Sequence, residues 1–406
     1  MRSFTQSLAL DMTPLEVAAQ CRHLHAPVFF DTALEAGGAI SIVAANPAEI
    51  VAGKSARDWQ VLREKIAGRQ RSDCPDDGMP HGVAAGTVDY NGAFCFGFYD
   101  DLLLFRHDDE SWRAVGGLAP QLRVTVPPPP PDPVRFAPQI SREHFCGMVR
   151  RAKDYIAAGD IYQVNLSQKF TSPWRGDALN FYEALRHYSP APYSAYLDLG
   201  GRAVLSSSPE SFLQLSGSRI RTRPIKGTRP RHPDPLADEK SAYDLITSPK
   251  EIAELVMITD LERNDLGRVC EYGSVHVSEL LKLERYEQVF HLVSTVEGRL
   301  RDGVDHVTAL RACFPGGSIT GAPKKRAMEI IAELEPAERG LYTGAIGWFG
   351  FNGESQFNIA IRTMIVENGE AHFHVGAGIV ADSEPEAEYE ETLHKARGIL
   401  MAAGRK

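Results

Sequence analysis

Residues 141–167 read SREHFCGMVRRAKDYIAAGDIYQVNLS. Phe145, Met148, Val149, Ala152, Tyr155 and Ile156 fall at i, i+3, i+4, i+7, i+10 and i+11, one stripe of a helix. Ser141 stands where an N-cap accepts a free amide, and Gly159 where a left-handed residue ends the helix. The period then changes to two. Tyr162, Val164 and Leu166 alternate with Gln163, Asn165 and Ser167, which predicts a strand with one polar face. The same reading outward gives strands at 194–199, 203–206, 219–222, 344–348, 356–366 and 372–375, and helices near 249–262, 305–312, 323–333 and 385–402. Long helices among many strands, without strict alternation, argue an α+β fold over a doubly wound parallel sheet.

Upstream, residues 127–133 read PPPPPDP. Such a run donates almost no backbone hydrogen bonds and adopts an extended polyproline form. It predicts a stiff linker over 127–136, between a smaller N-terminal α+β region (1–126) and a larger domain (137–406). A surface loop within one domain is the competing reading. In the smaller region, 28–31 and 40–44 read as short strands, and 82–99 as strand and turn.

The chain has 406 residues, room for two or three domains at roughly 150 residues each. Hydrophobic residues make up 43% and charged residues 24%, which excludes a disordered chain or a fibre. Lys plus Arg is 44 against 53 Asp plus Glu, a net charge of −9, so nucleic acid is not the expected partner. No apolar run is long enough to span a bilayer, and Met1–Gln6 leads into no signal-type core. Six cysteines without CxxC spacing fit reduced thiols, and a cytoplasmic location is expected.

Four segments carry candidate chemistry. RPIKGTRPR (223–231) holds Lys226 between prolines, a glycine and three arginines. Positive neighbours and poor solvation favour a neutral, nucleophilic amine; a basic surface loop is the plainer reading. In SPKEIAE (248–254), Ser248, Pro249 and Glu251 predict a capping box, which leaves Glu254 on an apolar helix without a structural job; an internal ion pair with an arginine is the competing reading. In SEPEAEYEETLHK (383–395), Ser383 and Glu386 predict a second capping box, and Tyr389, Leu393, Ala396 and Leu400 a core stripe. Glu388, Glu391 and Lys395 lie off that stripe, a solvated acidic helix start unless the fold turns this face to Glu254. If it does, hard carboxylates from two helices suit Mg²⁺. The glycine-rich turns at 314–324 and 376–378 offer amides to an anion, and the first is not a P-loop because Ala322 follows Gly321.

Taken in order, GDIYQVNLS (159–167), SSPESF (207–212), RPIKGTRPR, SPKEIAELVMITDLERNDLGRV (248–269), FHLVSTVEG (290–298), GGSITGAPKKRAMEII (316–331), YTGAIG (342–347), NIAIRTM (358–364) and GAGIVADSEPEAEYEETLHKA (376–396) resemble the chorismate-utilising family. That family holds the large subunits of anthranilate synthase and aminodeoxychorismate synthase, and the resemblance runs over 140–402. It implies large, mostly antiparallel sheets packed as a sandwich, helices outside, and an active site in a cleft. It implies Mg²⁺ held by Glu254 and Glu391, with Glu251 and Glu388 supporting. It places the enolpyruvyl carboxylate of chorismate at Arg362, Tyr342, Gly376 and Gly378, and the ring carboxylate near Thr228, Ser318 and Lys395. Glu210 would be the general acid at the leaving C4 oxygen, and His291 the histidine beside the ring.

Gln163 stands where isochorismate-forming relatives carry a lysine base, which disfavours water addition. Lys226 stands where aminodeoxychorismate synthases carry lysine and anthranilate synthases alanine. The resemblance therefore implies amination of chorismate at C4, with ammonia from a separate glutamine amidotransferase, because no GxCxG elbow is present. Anthranilate formation, a silent regulatory subunit of the same fold, and a phosphate-anion enzyme using the 316–324 turn are the alternatives.

Overall fold

The computed structural model describes residues 5–33, 39–71, 73–74, 77–124, 133–286 and 289–404. The proline run lies, up to Asp132, outside the described residues. The helix read from 141–159 forms as Arg142–Ala157, with Ser141 accepting from the His144 amide at 3.2 Å. Gly159, at φ 80°, ends it, and the Asp160 amide reaches back to the Tyr155 carbonyl at 3.0 Å. The strand that follows, Gln163–Pro173, lies one in from the edge of one of two large antiparallel sheets.

That sheet has twelve described strands. It runs from Gln6–Leu8 through Ser111–Val115, Leu102–Arg106, Ile40–Ala44 and Val28–Asp31 to Tyr193–Leu199, Arg202–Ser208, Thr363–Glu367, Glu370–Ile379, Gln163–Pro173 and Gly321–Ala322. The second, of ten described strands, runs from Ile225–Pro230 through Val289–Arg299, Arg219–Arg223, Ser211–Ser216, Glu354–Ile359, Ala345–Gly350 and Val83–Val88 to Phe94–Tyr99 and Glu49–Gly53. Residues 1–126 and 137–406 build both sheets jointly. Phe30 pairs with Ala195 in the first, and Gly86 with Gly347 in the second.

Inner faces of the two sheets meet in one apolar layer: Val28, Ile42 and Leu104 from the first pack with Val83, Ala85, Ile346 and Trp348 from the second. Helices cover the outer faces. Ala178–Tyr188 and Pro385–Ala402 pack on the first sheet, and Ala56–Ala67 and His306–Cys313 on the second. This is the sandwich with outer helices that the sequence resemblance implies. Among the described residues no helix is long and apolar enough to cross a membrane. All six cysteines are free.

One expected strand is in fact two. The run 356–366 breaks into Glu354–Ile359 in the second sheet and Thr363–Glu367 in the first, and Arg362 sits at the crossing with φ 49°. A large non-glycine residue rarely adopts that conformation, and such outliers gather at functional sites.

Candidate active site

A cavity of about 810 Å³ opens where the edge strand Ile225–Pro230, the crossing at Arg362, the start of Pro249–Gly267 and the middle and end of Pro385–Ala402 meet. Every site residue selected from sequence lines it except Gln163 and Glu388. Both of those stand behind the wall. Gln163 lies against Gly378, with its Oε1 buried and without a hydrogen-bond partner. Glu388 is buried and accepts from the Ser383 hydroxyl at 2.6 Å.

Lys226 reaches the cavity by a bulge. Lys226 pairs with Leu292 and Thr228 with His291, so two residues advance against one, and Gly227 between them has φ 74°. A Cβ there would meet the Leu245 side chain at 2.5 Å, so glycine is required by space as well as by backbone. The arginine crowding expected around Lys226 does not occur. Arg223 pairs with Glu284, Arg229 with Glu251 at 3.4 Å, and Arg231 with Asp238 at 2.8 Å. The Lys226 Nζ instead faces Glu254 Oε2 at 3.5 Å.

The acidic face of Pro385–Ala402 lines the same cavity as Glu254, with Glu388 buried and Glu391 half-exposed. Its fully buried stripe is Glu388, Thr392, Ala396 and Ile399, one position round from the expected one. Neither capping box closes. The Ser248 hydroxyl accepts from the Glu251 amide, but the Glu251 carboxylate goes to Arg229; Ser383 precedes the N-cap, Glu384, and Glu386 pairs with Arg150 at 3.1 Å. Glu391 sits 2.7 Å from Lys395 Nζ. Burial pushes its carboxyl up, but Lys395, then Lys250 and Lys226, hold it below its ordinary value.

Carboxylates from two helices on one cavity suit Mg²⁺ in their chemistry. Each is engaged by a cation of the chain: Glu254 by Lys226, Glu251 by Arg229, Glu388 by Lys250 at 4.0 Å, and Glu391 by Lys395. Among the described residues no three Asp, Glu, His or Cys side chains converge as a ready ligand group. Lys250 was within a quoted motif but unassigned; its signal was a cation one residue before Glu251.

The opposite wall is cationic. Arg362 faces the cavity, and no carboxylate among the described residues forms an ion pair with it. Burial lowers its pKa from the ordinary guanidinium value. A half-buried guanidinium with no carboxylate partner is well placed to be completed by a ligand anion. Tyr342 lies in the same wall, stacked on His374 at 5.3 Å, its hydroxyl pKa pushed up to about 12 by burial, so it remains a donor. Gly376 and Gly378 belong to the strand Glu370–Ile379, not to a turn. At Gly376 a Cβ would meet the Tyr342 hydroxyl at 2.6 Å.

The polar face expected of Gln163–Pro173 is partly buried, with Asn165 lining the cavity. The 314–324 turn is not a vacant anion site, because the Gly317 amide already donates to Glu262 at 3.0 Å.

Two titratable groups are tuned in opposite senses. Burial raises the Glu210 carboxyl above its ordinary value, against the opposing bond from Ser318, so it holds its proton longer. Burial first, then Arg362, pushes His291 down to about 4. Its Nδ1 lies 3.0 Å from Thr228 Oγ1 and 3.4 Å from the Gly227 carbonyl. His291 is therefore neutral when folded at any pH well above 4. Its contribution to stability is full above about 6.5 and is lost as the pH falls toward 4, because the unfolded imidazole takes the proton first. NMR of the ring, assigned with His291→Gln, is expected to show the neutral form down to about pH 5; a midpoint near 6.5 would contradict this environment.

The family model of chorismate binding enzymes matches residues 31–401. Anthranilate synthase component 1 of Streptomyces coelicolor is 51% identical over 267 residues, 66% of this chain and 52% of that protein. Aminodeoxychorismate synthase component 1 of Bacillus subtilis is 49% identical over 267 residues, 66% of this chain and 57% of that one. The chain thus spans about half the length of the curated relatives it matches. The crystal structure of anthranilate synthase component I from Streptococcus pneumoniae TIGR4 superposes with a TM-score of 0.81 at 31% identity, covering 90% of this chain and 93% of that one. The menaquinone-specific isochorismate synthase from Escherichia coli shares the fold, with a TM-score of 0.80 at 19% identity over 99% of this chain and 94% of that one.

Proposed function

The chain belongs to the chorismate binding enzyme family, and we propose that it aminates chorismate at C4 with ammonia to give 4-amino-4-deoxychorismate. The observation that carries this reading is Lys226, an amine on a glycine bulge in the cavity wall. Arg362, Tyr342 and the strand at Gly376 and Gly378 would hold the enolpyruvyl carboxylate, and Thr228, Ser318 and Lys395 the ring carboxylate. The Lys226 amine attacks C2, both ring double bonds shift, and the C4 hydroxyl departs as water on the proton of Glu210. Ammonia then adds at C4, both double bonds return, and Lys226 leaves as the amine. Two allylic displacements restore the first regiochemistry, which is what a second amine contributes. Neutral His291 stands beside the ring.

Glu254 and Glu391, supported by Glu251 and Glu388, would hold Mg²⁺, whose charge would offset the ring carboxylate and the developing hydroxide. Ammonia would come from a separate glutamine amidotransferase.

The second reading is anthranilate formation, in which ammonia attacks C2 and pyruvate is eliminated. It is supported by relatives named anthranilate synthase at up to 51% identity. Chorismate, ammonium and Mg²⁺ with the purified chain separate the readings. The expected product keeps its enolpyruvyl group by mass, with no pyruvate released. Fluorescent anthranilate with stoichiometric pyruvate would establish the second reading, and no chorismate loss at any pH would leave a silent subunit.

A further inference from the structure

Below the cavity floor lies a buried polar cluster that this reaction does not use. Glu262 and Asp265 come from the helix Pro249–Gly267, Lys324 from the start of Lys324–Leu334, and Cys313 from the end of His306–Cys313. Glu262 is 2% exposed. Its Oε1 accepts from the Gly317 amide at 3.0 Å, and its Oε2 is buried without a hydrogen-bond partner. Lys324 pairs with Asp265 and donates to the Pro315 carbonyl at 2.7 Å and the Cys313 carbonyl at 3.2 Å. The Thr320 hydroxyl donates to the Gly316 carbonyl at 3.0 Å. The 313–320 turn is thus pinned from beneath.

Ser318 projects from this turn to the cavity beside Glu210 and draws that carboxyl's pKa down. Gly317 is pressed onto the helix, since a Cβ there would meet the Leu261 side chain at 2.6 Å. A buried carboxyl with one oxygen unpaired is a poor choice for stability alone, and an apolar side chain of similar size would serve packing better.

We propose that Glu262 is a positioning residue for the proton donor Glu210, acting through the Gly317 amide and Ser318. The proposal rests on the reading of Glu210 as that donor. Glu262 fixes where the Ser318 hydroxyl stands, and so which Glu210 oxygen carries the proton and where it points. The groups facing it are Asp265, Lys324, Glu210 and Cys313. Burial first, then Asp265, pushes its carboxyl up.

The test is steady-state kinetics with chorismate, ammonium and Mg²⁺ on Glu210→Gln, Glu262→Leu and Glu262→Gln. Glu262→Leu is expected to lower kcat about 10- to 100-fold, the cost of a misplaced donor, with KM changing less than about threefold. Glu262→Gln keeps an acceptor for the Gly317 amide and is expected to restore kcat to within about threefold. Its basic limb is expected to stay where the wild type has it, because the Ser318 hydroxyl is still held in place.

A folded Glu262→Leu at wild-type kcat, or a loss confined to KM, would overturn the proposal while a collapsed Glu210→Gln left the donor reading standing. Glu210→Gln at wild-type kcat would remove the donor reading and this proposal together. Should Glu262→Leu fail to fold, Ser318→Ala decides: it is expected to lower kcat as Glu262→Leu would, and a kcat within about threefold of wild type overturns the proposal.

Discussion

Lys226→Ala is expected to cut formation of the 4-amino product at least about a thousandfold, the scale on which loss of a nucleophile acts. Remaining turnover is expected to shift toward anthranilate. The reasoning is geometric before it is chemical. The Gly227 bulge, enforced by φ and by Leu245, carries the lysine into the cavity. Its Nζ lies 3.6 Å from where a Cβ on Gly378 would stand, over the strand that holds the enolpyruvyl carboxylate in the proposed mode. Without the amine, ammonia has only the direct attack at C2, from which pyruvate is lost. Lys226→Arg separates nucleophile from charge, since arginine keeps the cation and cannot act as an amine nucleophile. It is expected to fail as alanine does. Unchanged rate and product in the alanine variant would remove the covalent role, and full activity in the arginine variant would reduce Lys226 to a placed charge.

What the sequence could tell about this site depended on whether the signal was local. The helix at 142–157 and its glycine stop were legible because stripe, cap and left-handed terminus all lie within one window. The two halves of 356–366 were not, because each is a good strand and only tertiary pairing assigns them to different sheets. The helix Pro235–Ile246 was passed over although Asp234 and Pro235 mark its start, because exposed Leu236 and Tyr243 blur its stripe. The alternation at 163–167 correctly predicted a strand with one polar face. Period two says which side chains share a face and nothing about what lies opposite, here a cavity lined by Asn165. Side-chain partners were the least legible. Glu251 had a local cap available and went to Arg229, and the Gly317 amide looked free until Glu262, 55 residues away, was folded beneath it. The candidate residues themselves came from the order of the motifs, and the fold then put almost all of them on one cavity.

The magnesium assignment makes the other large prediction. Glu254→Gln is expected to weaken Mg²⁺ binding, read directly by calorimetry on the chain, by more than the roughly 10- to 100-fold typical of outer supporting groups, and to abolish activity with it. Glu388→Gln, one layer behind the wall, is expected to stay within about that range. The ordering follows from position. Glu254 and Glu391 reach the cavity from different helices, whereas Glu388 is buried and already satisfied by Ser383. Amide for carboxylate preserves shape and removes one hard anionic donor, so a change in affinity reports charge and not packing. The same substitution takes away the partner of Lys226, 3.5 Å distant, and a loss of activity alone would be ambiguous between metal and lysine. Direct binding resolves it. Glu391→Gln leaves the Lys226–Glu254 pair intact and is expected to lose Mg²⁺ to the same degree as Glu254→Gln. If Glu254→Gln lost activity at wild-type Mg²⁺ affinity, the carboxylate would be serving the lysine. Wild-type turnover in EDTA would end the metal assignment altogether.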